Sequence, residues 1–456
     1  MTYRIPGTRV EEVTLPQSVN ISSTQRVPCF IGIASNYVRV NYEAVTQAVT
    51  GINDLAYTST GIYSIINMGT QKGLKNLIAP THYALVADQL VFTSAGMVLA
   101  GAGSTFYVSY YYDRPYDGAN LTDTTLNDYR YKEFTNFEDV IADLGYAVEA
   151  NPLCMMANLA LTYYNVPKIA VVQVPTTSAA DYAAALNLIK YRDVQTVCCL
   201  TTDTAVRTAL INHVEERSLP DSGRYRMAWT GMPSGTSVTD VAALAVSIQN
   251  ERCVVVNATR AKFYYTDPDT KEAKTAIVDG AFIASAIAAY RDAFPSPSAN
   301  LMGKVVSGLE LYSEDYDDYY SEYQLEVAGA SSVFTVQNAS GGTIKVIDDL
   351  TTDNSTVERN NINIITAKDF IAKDVAVQMD RTFIGQLIQD QGSYTSAIQG
   401  YLGKMFVEYK SAGIIASIGT LSAKMNASRS DTVDIFYSYT SVYSNKQISA
   451  TYALVS

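Results

Sequence analysis

Three residues have the types needed for a nucleophile relay. Ser237 is a hydroxyl, His213 an imidazole and Asp203 a carboxylate. A serine attacks a carbonyl only when an imidazole takes its proton and a carboxylate orients that imidazole. The surroundings favour a quieter reading. His213 lies in Ile211-Asn212-His213-Val214-Glu215-Glu216, the pattern of an exposed helix. Ser237 or Thr236 stands where a helix begins, and Asp240 has capping-box spacing. The sequence therefore predicts helix caps at these positions, with a hydrolase as the alternative.

Other chemistry is thin. The acidic run 314–326, with Glu314, Asp315, Asp317, Asp318, Glu322 and Glu326, has the oxygens for Ca²⁺ but lacks the glycine that sharpens an EF-hand loop. A solvated face or the acidic start of a helix suits it better. Gly101-Ala102-Gly103-Ser104 precedes a strand, so it reads as a turn and not as a dinucleotide site. There is no G-x-x-x-x-G-K-[ST] run to hold a triphosphate. His82 and His213 are the two histidines, and His82 reads as structural at a strand start. Five cysteines at 29, 154, 198, 199 and 253 form no C-x-x-C, which points to reduced, buried thiols. We expect no enzyme activity, no cofactor and no metal.

The chain of 456 residues carries 33 Lys+Arg against 45 Asp+Glu, a formal charge of −12. That balance disfavours nucleic acid, which needs clustered cations. No apolar run is long enough to span a membrane, and the start Met1-Thr2-Tyr3-Arg4-Ile5-Pro6 does not read as a signal peptide. Only 17% of residues are charged, while 34 are Tyr and 13 Phe. Few charges and many amphipathic rings suit a surface used for contact with other protein. From 369 to 456 there are seven Lys/Arg and seven Asp/Glu, so the whole negative balance lies in residues 1–368.

The elements that would position these residues change character along the chain. Residues 1–26 are polar and punctuated by Pro6 and Pro16, an extended arm in which Arg9, Val10, Glu11, Glu12 and Val13 are strand-like without a nearby pairing partner. Residues 29–34 form a compact apolar strand. Residues 37–120 predict a small β-sandwich or barrel, with strands at 62–66, 83–86, 89–92 and 105–112 and Phe106, Val108 and Tyr110 on one face. A βα rhythm follows over 137–294. Strands at 169–174, 194–200, 225–230 and 253–256 alternate with helices at 152–164, 178–191, from 202 or 203 to 217, and 237–249, and a last helix opens at Asp279-Gly280. Near-continuous apolar strands between helices predict a parallel sheet covered on both faces. The stretch 295–330 reads as irregular, and a hairpin at 331–348 turns at 340–342. Two helices over 367–412 split near Gly392, and strands at 431–439 and 447–455 close the chain. Ile448, Ala450, Tyr452 and Leu454 alternate in the last. An extended terminal segment of this kind can add to a sheet edge of another molecule, or pair within its own subunit or fray.

The order of these segments resembles the tail sheath proteins of contractile phages and related contractile injection systems. Ile5-Pro6-Gly7-Thr8-Arg9-Val10-Glu11-Glu12-Val13 is similar to that family's opening arm, with Thr8-Arg9 where Val-Tyr is usual. Phe30-Ile31-Gly32-Ile33-Ala34, 101–110, 152–174, 404–413 and 431–455 resemble further segments in the same order. The acidic Tyr-rich stretch has no counterpart. Gly235-Thr236-Ser237 also resembles the start of the subtilisin-type nucleophile motif, but the Gly and Thr that follow the histidine there are absent after His213.

The resemblance implies a multidomain α/β chain with additional β-sandwich and α+β modules. Its divisions would be an arm at 1–26, an inserted β-sandwich-like domain at 37–120, a central α/β domain from 27–36 plus 137–350, a C-terminal module at 367–444 facing a tube, and a C-terminal arm at 445–456. The central domain would be subtilisin-like in fold and non-catalytic. The implied role is a structural subunit that polymerises into a helical sheath and contracts to drive a tube through a host envelope. The implied partners are copies of itself in stacked hexameric rings, a tail tube protein, and baseplate and tail terminator proteins, with no nucleic acid and no membrane insertion. The implied location is a virion tail assembled in the bacterial host cytoplasm. The other readings are an α/β hydrolase with an accessory β domain, and a self-assembling envelope-layer or adhesion subunit, against which the lack of a signal peptide counts.

Overall fold

Five short aliphatic runs build the central layer. In the computed structural model the strands Cys253–Val255, Met227–Thr230, Thr196–Cys199, Pro28–Gly32 and Ile169–Gln173 lie side by side in that order, all parallel, with Tyr131–Phe134 antiparallel at the edge. The structure describes residues 26–34, 37–46, 48–50, 52–55, 59–67, 75–76, 83–86, 89–94, 105–113, 131–219, 221–268, 270–312, 321–339, 342–388, 390–429 and 431–443. The arm residues Arg9, Val10, Glu11, Glu12 and Val13 lie outside them, as do Ile448, Ala450, Tyr452 and Leu454, His82, the 101–104 turn and the acidic residues 314–318.

Period-two alternation divides the strand side chains between two cores. Phe30, Val171, Cys198, Met227, Trp229 and Val254 enter one core, with the helices Pro152–Asn158 and Gly280–Asp292. Cys29, Ile31, Ala170, Val172, Val197, Cys199, Ala228, Cys253 and Val255 enter the other, with the helices Ala179–Leu188, Thr204–Arg217 and Val238–Ile248. This is the doubly covered parallel sheet that the apolar runs predict. The helix read at 152–164 is α-helical to Asn158 and continues as a wider π turn over Leu159–Tyr163.

The stretch after this sheet is more regular than its sequence suggests. Residues 260–279 fold as a hairpin of Arg260–Thr266 and Ala273–Asp279, and Val305–Leu311 pairs with the first of these. Thr343–Asp348 and Thr335–Asn338 complete a five-stranded antiparallel sheet. The irregular reading of 295–330 is thereby corrected: a strand occupies Val305–Leu311 and a capped helix Glu322–Ala330.

Between 37 and 113, two antiparallel sheets of four and three strands share one apolar cluster. Phe106, Val108 and Tyr110 all point into it, as their alternation predicts.

The described residues divide into two compact units, one comprising those within 26–295 and 299–365, the other those within 296–298 and 366–443. In the second, residues of the helices Ile362–Phe383 and Gln391–Ser411 pack together with the hairpin Ile415–Met425 and Val433–Ser441. Gly392 does not split the helices. The break falls at 384–390, and Asp390 caps the second helix by accepting from the Gly392 and Ser393 amides at 3.3 and 3.0 Å.

Candidate functional site

The relay residues are engaged elsewhere. Ser237 Oγ accepts from the Asp240 amide at 3.2 Å and donates to Asp240 Oδ2 at 2.8 Å, capping Val238–Ile248. Asp203 Oδ1 accepts from the Val206 amide at 2.9 Å and caps Thr204–Arg217. His213 is buried, with Nε2 against Arg226 Nη1. A guanidinium only donates, so Nε2 presents its lone pair and the ring is neutral. Burial first, then the charges of Arg226, Arg217 and Lys190, pushes the His213 pKa down to about 3. An imidazole so disposed is a poor general base near neutral pH. These contacts do not join the three residues into a relay. The exposed-helix reading of His213 is also corrected: the ring faces inward, and what it meets is a cation that itself caps the C-terminal end of the helix Ala179–Leu188. Arg226 Nη2 donates to the carbonyls of Ile189 and Arg192 at 2.8 and 2.7 Å.

The five thiols are buried and unpaired with one another. Burial pushes Cys29 and Cys253 up to about 12, and Cys154, Cys198 and Cys199 upward as well, so none supplies a thiolate near neutral pH. Among the described residues no cluster of His, Cys, Asp or Glu has the geometry of a metal site. No described helix is long and apolar enough to cross a membrane.

The surface that stands out is the C-terminal hairpin. Ile415–Met425 and Val433–Ser441 pair antiparallel as a two-stranded sheet, and no other described strand pairs with either outer edge. Ile415, Ile418, Leu421 and Ala423, with Val433, Ile435, Tyr437 and Tyr439, form the face turned to the helices. Phe406 packs its ring 5.2 Å from Tyr437 and 6.1 Å from Tyr439. The other face carries hydroxyls and one exposed ring: Ser417 Oγ donates to Thr440 Oγ1 at 2.8 Å, and Phe436 is 58% exposed. The register shifts between Ile418 and Leu421. Gly419 sits there because a Cβ would lie 2.9 Å from the Ser438 carbonyl oxygen, too close for any other residue. Two strands alone are marginal in water, and a sheet edge that no other described strand pairs can accept a further strand.

Below the hairpin, two buried tyrosines tie the helices together. Tyr409 donates to Asp374 Oδ2 at 2.7 Å and Tyr401 to Gln378 Oε1 at 3.2 Å. Repeated Tyr in this stretch is the signal that could have marked these ties, since a buried phenol needs a polar partner.

No protein-family profile matches the chain, and no curated protein matches it in sequence. Solved structures do match in fold. A chain of the anti-feeding prophage helical sheath in its contracted state is similar over 99% of this chain and 99% of its own, at a TM-score of 0.55 and 11% identity. A chain of the contracted anti-feeding prophage baseplate covers 73% of this chain and 90% of its own, at 0.52 and 12% identity. The contracted PVC sheath complex of an extracellular contractile injection system covers 71% and 86%, at 0.51 and 11% identity. The chain therefore has the fold found in these contractile assemblies, as the order of its segments predicts.

Proposed function

We propose that the chain is the structural subunit of a contractile tail sheath. Copies polymerise helically around a tail tube, and the array contracts to push the tube through a host envelope. The observation that carries this reading is the match to the anti-feeding prophage sheath over 99% of both chains, which extends through every unit of the fold. The hairpin supports it independently, because edges that no other described strand pairs suit strand addition. In this reading Arg9, Val10, Glu11, Glu12 and Val13 of one copy, and Ile448, Ala450, Tyr452 and Leu454 of another, extend the two-stranded sheet of a third. The C-terminal segment 447–455 has nine residues, matching the nine of Val433–Ser441.

Head-to-tail contacts that do not close generate a filament. Contraction is a rigid-body rearrangement of subunits that remain tethered by their arms, and needs no nucleotide if the extended array is the less stable one. The neutral C-terminal module 367–444 faces the tube, with the acidic domains outside. The central parallel-sheet domain is subtilisin-like in fold and non-catalytic, with no cofactor. The partners are stacked hexameric rings of itself, the tube protein, and baseplate and terminator proteins, in a tail assembled in the bacterial cytoplasm.

The test is removal of residues 446–456, with Tyr452→Pro beside it, since proline deletes a ladder donor. Both variants should stay folded and fail to form long tubes. Tubes of normal length from either would refute the arm model.

A further inference from the structure

The first described residue is Arg26, the last of the arm read over 1–26, and it is held in an unusual way. It is buried, and its Nε lies 2.8 Å from Asp292 Oδ1 while Nη2 donates to Thr196 Oγ1 at 3.0 Å. Asp292 is the last residue of the buried helix Gly280–Asp292, and Arg291, also buried, brings a second guanidinium to 3.9 Å from the same carboxylate. The backbone beside Arg26 is clamped as well. The Val27 amide donates to Gln195 Oε1 at 2.9 Å, and the Gln195 amide to the Val27 carbonyl at 3.2 Å. From there the chain enters Pro28–Gly32, which is paired in parallel on both sides, with Ile169–Gln173 and Thr196–Cys199.

The arrangement is expensive as a source of stability. Three charges leave water, and neither Asp292 oxygen accepts an aligned hydrogen bond among the described residues. Apolar groups of similar volume often do as well or better in such places. Its position suggests what else it does. Tension drawn through the arm arrives at Arg26 along the axis of an interior strand. It loads the ladders on both sides together, and the guanidinium passes part of it to the helix and to Thr196. We propose that Arg26, Asp292 and Thr196 form the mechanical anchor of the N-terminal arm, so that a pull from a neighbouring subunit is resisted by the whole sheet and by the helix beneath it. This rests on the reading of 1–26 as an intersubunit arm. Arg26 and Asp292 are positioning residues that act through the strand.

The experiment is force spectroscopy on the full chain, with one handle at residue 1 and the other at the exposed Ala205, just beyond Thr196–Cys199. A control pair at the exposed Tyr264 and Val357 bypasses the arm root. In Arg26→Met/Arg291→Met/Asp292→Leu, which replaces all three buried charges, the thermal midpoint and the control rupture force should stay at the wild-type level. The lifetime under constant tension from residue 1 should fall about tenfold or more, the factor expected for losing one charge-assisted contact. Thr196→Val, which spares the ion pair, should give a smaller fall in the same direction only, and it serves if the triple variant folds poorly. Equal lifetimes in the residue 1 geometry would overturn the anchor, and so would parallel falls in the control geometry and in thermal stability. Normal tubes from a chain lacking residues 1–24 would instead refute the tether reading and leave the single-molecule result standing.

Discussion

His213 gives the most quantitative consequence of the central domain. It is 9% exposed, and burial together with three nearby cations brings its pKa from 6.5 to about 3. The unfolded chain takes up a proton near pH 6.5 that the folded chain refuses until about pH 3. Stability contributed by the neutral ring is therefore complete above 6.5 and lost as pH falls through that window, because the unfolded state binds more protons there. At about 1.36 kcal/mol per pH unit, allowing for the partial titration near 6.5, the loss by pH 5 is about 2 kcal/mol. In His213→Gln the amide oxygen can still accept from Arg226 Nη1, and it does not titrate. Urea unfolding would be followed at pH 8, 6.5 and 5 by the fluorescence of Trp229, the single tryptophan, which is buried in the same unit. Carboxylates titrate in both proteins and cancel in the difference. The stability of wild type relative to His213→Gln should decline by about 2 kcal/mol from pH 8 to pH 5. A difference independent of pH would refute the buried neutral imidazole.

Four further substitutions probe other parts of the fold. Ser237→Ala should cost about 0.5–2 kcal/mol, the value of a helix cap, with no change in any esterase or protease assay; loss of a measurable hydrolysis would restore the enzyme reading. Tyr409→Phe removes the phenol that donates to Asp374 Oδ2, leaving Gln378 Nε2 at 3.4 Å from Oδ1, and should destabilise the helical pair of the C-terminal unit by about 1–3 kcal/mol, read by hydrogen exchange across 391–411. Gly231→Ala would put a Cβ 2.2 Å from the Gly280 carbonyl and should cost at least about 1–3 kcal/mol, whereas Gly329→Ala, with open space around it in a helix, should gain up to about 1 kcal/mol; equal thermal midpoints would count against the close approach.

The parts of the fold legible in sequence are those where local chemistry and burial agree. Ser178, Asp203, Ser237 and Asp279 each cap the helix that their position announces. The strands between those helices are apolar throughout because both sheet faces are covered. Val305–Leu311 escaped notice for the opposite reason. Its run VVSGLEL breaks the alternation at Gly308, where φ is 84° and Leu159 and Tyr163 crowd the missing side chain. Ile415–Met425 was hidden likewise, since its register shifts and its small outward residues mask the alternation. The inward turn of His213 needed the partner Arg226, which comes from another element. The arms read in sequence as strand-like segments without a nearby partner, they lie outside the described residues, and their assignment to neighbouring subunits rests on the family resemblance.

Electron microscopy of the purified chain under assembly conditions tests the central claim most directly. The account predicts wide, hollow, helically striated tubes that vanish when residues 446–456 are removed. Discrete globular particles at every concentration and ionic strength would contradict it.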